Sequence, residues 1–127
     1  MRFLHAMIRV KDIKRSLCFY ENLMKMSLVK TKKLDDCELY FLEDEEHFSQ
    51  IELTYNKKRP RDGYDNGDAF GHFAFSVESI EDFTDVMNRY SYEYLYKPYR
   101  ISPTTRVAFL KDPDGNQIEI IEKKAKE

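Results

Sequence analysis

The chain of 127 residues carries its own half-length repeat. Leu4-His5-Ala6-Met7-Ile8-Arg9-Val10 is echoed 67 residues later by Gly71-His72-Phe73-Ala74-Phe75-Ser76-Val77. Gln50-Ile51-Glu52-Leu53 and Gln117-Ile118-Glu119-Ile120 stand at the same offset of 67, and Phe41-Leu42-Glu43-Asp44 and Phe109-Leu110-Lys111-Asp112 at 68. Three matches in one order at nearly one spacing mark a duplication. The fold must therefore be made of two copies of one small unit.

Each copy reads alike. An alternating strand opens it, His5 to Val10 or His72 to Val77, and in the first copy Leu4, Ile8 and Val10 form the apolar face. A helix follows. Asp12 is the N-cap of the first, with Ile13, Leu17, Tyr20 and Met24 as its apolar stripe; Ser79 caps the second, with Ile80, Phe83, Met87 and Tyr90. Strands are predicted over 38–42 and 51–55, and over 106–110 and 118–121, with further strands at 28–33 and 93–97. Asp112-Pro113-Asp114-Gly115 is a turn. The chain is thus read as one α+β domain over residues 1–127, built from two tandem βαβββ units of about 1–56 and 69–127 joined by a polar linker at 57–68. The cations Lys57, Lys58, Arg59 and Arg61 fall in that linker and are read as a solvated run.

Composition narrows the function classes. Lys plus Arg is 21 and Asp plus Glu is 23, so a net charge of -2 offers no bulk attraction to nucleic acid or to an anionic membrane. No apolar run reaches the roughly 20 residues of a membrane span, and no secretory leader is visible. Two cysteines, Cys18 and Cys37, without metal spacing fit a reduced, cytoplasmic protein.

Strand alternation places His5 and Glu52 away from the helix-packed face of the first copy, and His72 and Glu119 away from it in the second. The His–Glu separation is 47 residues in both. Two imidazoles and two carboxylates, without a thiolate, suit a divalent transition metal rather than a structural zinc site. Each copy alone supplies only two ligands, so a closed site needs a first copy and a second copy, from one chain or from two.

The segments Met1–Val10, Arg15–Tyr20, Ile51–Asn56, Phe70-Gly71-His72 and Asp112–Gly115 followed by Ile118-Glu119 resemble glyoxalase I, of the vicinal oxygen chelate superfamily, across almost the whole chain. The resemblance implies paired βαβββ units forming a curved mixed sheet around a metal. It places the metal ligands at His5, Glu52, His72 and Glu119. A His as first ligand is similar to the short bacterial form, which implies nickel ahead of cobalt, and both ahead of zinc. The implied reaction converts the hemithioacetal of methylglyoxal and glutathione into S-lactoylglutathione by proton abstraction through a metal-bound enediolate. Glu119 is the implied main base and Glu52 its partner in proton transfer, while Arg9 and Asn56 hold the glutamyl end of glutathione. A homodimer is implied as well. Asp68 and Gln117 depart from longer members of the family, and these departures bear on the thiol more than on the metal site. The alternatives are a thiol transferase, a ring-cleaving dioxygenase and a non-enzymatic drug-binding module. The first two use two His and one Glu, and the third lacks the ligands.

Overall fold

The computed structural model describes residues 1–124. It divides into two compact units, the first Met1–Asn66 and the second beginning at Gly67. Each is a βαβββ unit with its own four-stranded mixed sheet, so the duplication read in the sequence is the organising fact of the fold.

In the first unit β1 (Ala6–Arg9) is followed by α1 (Ile13–Leu17), β2 (Ser27–Lys33), β3 (Cys37–Glu43) and β4 (Gln50–Asn56), with strand order β1-β4-β3-β2. The second repeats this with β5 (His72–Val77), α2 (Ile80–Arg89), β6 (Tyr94–Ser102), β7 (Thr105–Lys111) and β8 (Gln117–Lys123), ordered β5-β8-β7-β6. The first and last strands of each unit run parallel, and all other pairs are antiparallel. The helical crossover makes that parallel pair possible, because strands joined by a tight turn can pair only antiparallel.

Both caps form as read. Asp12 accepts the Arg15 N–H at 3.1 Å and the Ser79 hydroxyl accepts the Asp82 N–H at 3.1 Å. The first helix departs from its expected stripe. It is α-helical only to Leu17 and continues over Cys18–Leu23 as a π-helix. The wider turn brings Phe19, Tyr20, Leu23 and Met24 together into the core, while Ile13 and Leu17 stay half-buried. Two other expected core residues are exposed. Leu4 lies ahead of β1, and Tyr90 caps the C-terminus of α2, where nothing covers it.

Alternation does the rest. Leu42, Ile51 and Leu53 in the first unit, and Leu110, Ile118 and Ile120 in the second, point under their helices, each contributing about 1.5–3 kcal/mol of burial. The intervening residues are left to the other face. Corresponding aspartates close the turns into the last strands: Asp44 accepts the Phe48 N–H at 2.8 Å, and Asp112 accepts those of Asp114 and Asn116 at 2.9 and 2.8 Å. The polar stretch after β4 is held by the first unit. The Lys57 N–H donates to the Asp36 carbonyl at 2.8 Å, and the Asn56 amide to the Tyr64 hydroxyl at 3.0 Å. No helix among the described residues is long and apolar enough to cross a membrane.

Candidate metal centre

The parallel strand pair of each unit sets one His beside one Glu. Met7 pairs with Glu52 and Ala74 with Glu119, so each carboxylate stands diagonally across from the His two residues earlier on the neighbouring strand. In the first unit His5 Nε2 lies 3.4 Å from Glu52 Oε1; in the second His72 Nε2 lies 3.3 Å from Glu119 Oε1. Both separations exceed a normal N–H···O hydrogen bond of about 2.7–3.2 Å. Two donors that share a cation at about 2.1 Å, with an angle of about 90–110° between them, lie about 3.0–3.4 Å apart. The donor sets therefore fit a divalent metal in both type and spacing.

Each imidazole is braced in the same way. The His5 ring meets Phe41 edge-on at 5.4 Å, and the His72 ring meets Phe109 at 5.5 Å. Phe41 is the cross-strand partner of Glu52, and Phe109 of Glu119. The phenyl rings limit ring rotation and keep each His–Glu pair partly shielded from water. These two phenylalanines lay inside the repeat matches, where their place in the motif was the signal of a role.

The pairs differ in one respect. The Thr54 hydroxyl donates to Glu52 Oε2 at 2.9 Å. The corresponding position in the second unit is Ile121, which has no donor. Glu52 is thus fixed at Oε2 by Thr54, while its Oε1 faces His5. Thr54 shares a strand face with Glu52, so period-two alternation pointed to it.

Arg9 ends β1 in register with Thr54, and its side chain is exposed. Asn56 ends β4 half-buried, its amide donating to Tyr64. Each lies four residues beyond the His or Glu of its strand, about 13 Å along the strand. Each unit presents two candidate metal donors. Among the described residues no group of three or more His, Cys, Asp or Glu side chains gathers in a metal-binding cluster.

Residues 2–120 match the model of the glyoxalase/bleomycin resistance protein/dioxygenase superfamily. A probable lactoylglutathione lyase of Vibrio parahaemolyticus is 38% identical over 97% of this chain and 91% of its own length. The lactoylglutathione lyase of Salmonella typhimurium is 36% identical over 98% of this chain and 94% of its own. The chain belongs to the lactoylglutathione lyase family. Solved glyoxalase I structures have the same fold. The Zea mays enzyme superposes with a TM-score of 0.85 at 29% identity, covering 98% of this chain, which spans 45% of that longer one. The trypanothione-dependent glyoxalase I of Leishmania major gives 0.79 at 32% identity, over 96% of this chain and 86% of that one. Membership makes the chain an enzyme of a metal-dependent family, and its two His–Glu pairs have the donor chemistry such a family needs.

Proposed function

We propose that the protein isomerises the hemithioacetal of methylglyoxal and glutathione to S-lactoylglutathione. The observation that carries this reading is the repeated pair, His5 with Glu52 and His72 with Glu119, at 3.4 and 3.3 Å in a chain whose relatives are lactoylglutathione lyases. In this reading His5, Glu52, His72 and Glu119 hold one divalent metal, nickel or cobalt ahead of zinc. The four donors come from one first unit and one second unit, within a chain or between the chains of a homodimer. The bound metal supplies a Lewis acid that stabilises negative charge developing on the substrate oxygens.

The protein's own groups move the proton. A C–H beside the thioether sulfur is a weak acid, and a carboxylate must reach it. Glu119 takes that role, because no hydroxyl at Ile121 ties its free oxygen, whereas Thr54 donates to Glu52. A hydrogen bond to a carboxylate oxygen fixes its direction and lowers its basicity. Glu52 serves the neighbouring carbon, so that one proton leaves the sulfur-bearing carbon and one is returned next to it. Arg9 and Asn56 grip the far end of the thiol, about 13 Å from the ligands. The relative from Leishmania major is described as trypanothione-dependent, so glutathione is set against a second thiol in the assay.

Metal-free protein reloaded separately with nickel, cobalt and zinc, and mixed with methylglyoxal and glutathione, is expected to form thioester fastest with nickel or cobalt. Folded protein inactive with all three metals and with either thiol would overturn the assignment.

A further inference from the structure

The two units carry opposite charge at one corresponding place on their helix-packed faces. In the second unit Glu78, Glu81, Asp82 and Glu122 surround the start of α2. At the offset of 67 the first unit has Lys11, Lys14, Arg15 and Tyr55, and at 68 Glu38 stands in the place of Arg106, engaged by the Tyr40 hydroxyl at 2.7 Å and by Lys33. The second unit satisfies this place from within. Glu122, 1% exposed, accepts the Ile80 N–H at 2.9 Å, and Arg106 joins it to Glu81. Tyr55 stands where that carboxylate would be in the first unit. There an open depression of about 480 Å³ remains, lined by Lys11, Asp12, Ile13, Lys14, Arg15 and Tyr55.

A second depression of about 460 Å³ shares Lys11 and is walled by Lys57, Lys58, Arg59, Pro60 and Arg61. The two adjoin because β1 and β4 are parallel neighbours, so the segments that leave them emerge at the same end. Together they present seven cationic side chains and one carboxylate, Asp12, which is engaged as the cap of α1. Arg59 is not a solvated linker residue. Its guanidinium stacks on Tyr55 at 4.1 Å from the ring centre and donates to the Asn56 carbonyl, so it is oriented before any ligand arrives. Among the described residues none of Lys14, Arg15, Lys57, Lys58 and Arg61 is within ion-pair distance of a carboxylate.

We propose that this face of the first unit binds a small anion carrying two or more phosphate groups, in the place that the second unit fills with Glu122. Tyr55 points to the face opposite Glu52 and Asn56, so the site is separate from the His–Glu pairs. Two adjoining open depressions lined by cations suit a compact polyphosphate, whereas a nucleic acid strand needs open aromatic faces for its bases, and Tyr55 is already covered by Arg59.

The test is a titration of the full-length, metal-free chain with pyrophosphate, which then has no cation to chelate. Calorimetry gives affinity and backbone amide shifts give location. Saturable binding is expected, about 10-fold or more tighter than sulfate at about 0.15 M salt, with shifts at Lys11–Arg15 and Tyr55–Arg61. Lys14→Gln/Arg15→Gln and Lys58→Gln/Arg61→Gln should each weaken it about 10-fold or more, since each removes two charges facing the ligand. Tyr55→Glu, which gives the first unit the carboxylate of the second, should abolish it. Binding that does not saturate, that is unchanged in both double variants, that shifts the amides of Glu52 and Thr54 instead, or that is weaker than binding of a short DNA strand would overturn the proposal. Glu119→Gln should bind pyrophosphate like the wild type, so the outcome is independent of the isomerase assay.

Discussion

The two units agree on one face and diverge on the other. On the ligand face His5, Glu52 and Phe41 are repeated by His72, Glu119 and Phe109, with His–Glu gaps of 3.4 and 3.3 Å. On the helix face a cationic, open corner in the first unit corresponds in the second to a buried Glu122 paired with a partly exposed Arg106. An ion shared as proposed would demand matching donors from both copies. A helix packing surface demands only that charge be paired or hydrated. The contrast separates what the chemistry fixes from what each unit can settle alone.

The comparison is broken most severely at the carboxylates themselves. Glu119→Gln should lower kcat by about 10³-fold, the scale of a lost general base, with unchanged circular dichroism. If Glu52→Gln lowered kcat more than Glu119→Gln, the roles assigned from the Thr54 contact would be reversed.

The next effect falls on stability and on the second unit alone. The Arg106 guanidinium and the Ile80 N–H hold the buried Glu122 carboxyl below the usual carboxylate range, against the opposing effect of burial. Arg106 likewise holds Glu81 below that range. A carboxyl with a depressed folded-state pKa stabilises fully above its unfolded value, and that contribution is lost as pH falls through the folded one. Glu122→Gln should therefore cost about 2 kcal/mol near pH 7, where it removes the charge from a buried carboxylate that holds the Ile80 N–H and the Arg106 guanidinium, while Arg106 keeps Glu81. The gap between variant and wild type should close as the pH falls below about 4 in acid unfolding followed by circular dichroism. A gap that stays constant with pH would mean that Glu122 acts through packing rather than charge.

Smaller effects sharpen the ligand face. Arg9→Ala should raise KM about 10-fold with kcat nearly kept, as expected of a residue that grips the thiol away from the reacting carbons. Thr54→Val should lower kcat/KM about 5-fold by freeing Glu52, a cost near 1 kcal/mol for one hydrogen bond. An unchanged value would make the Thr54 contact incidental.

Much of this was legible before the structure because duplication converts weak signals into strong ones. A lone strand His says little, but His5 and His72 at one offset, each 47 residues before a Glu, carry information about geometry. Period-two alternation then gave the faces correctly. What stayed hidden depended on local backbone or on distant partners. The π-helical continuation over Cys18–Leu23 moved Phe19 and Leu23 into the core, because period 3.6 does not hold there. Glu122 continues the face of Ile118 and Ile120, and it is 1% exposed because Arg106 and the start of α2 enclose it, partners that no local pattern reveals. Arg59 reads as linker charge until Tyr55 is seen beneath it.

The central claim is that the two His–Glu pairs serve one metal together rather than one each. Nickel titration of the metal-free protein, with His5→Ala and His72→Ala beside the wild type, tests it directly. The account predicts one tightly bound nickel per chain in the wild type and loss of tight binding in both variants. Two nickel ions per chain, with each variant keeping one, would contradict it.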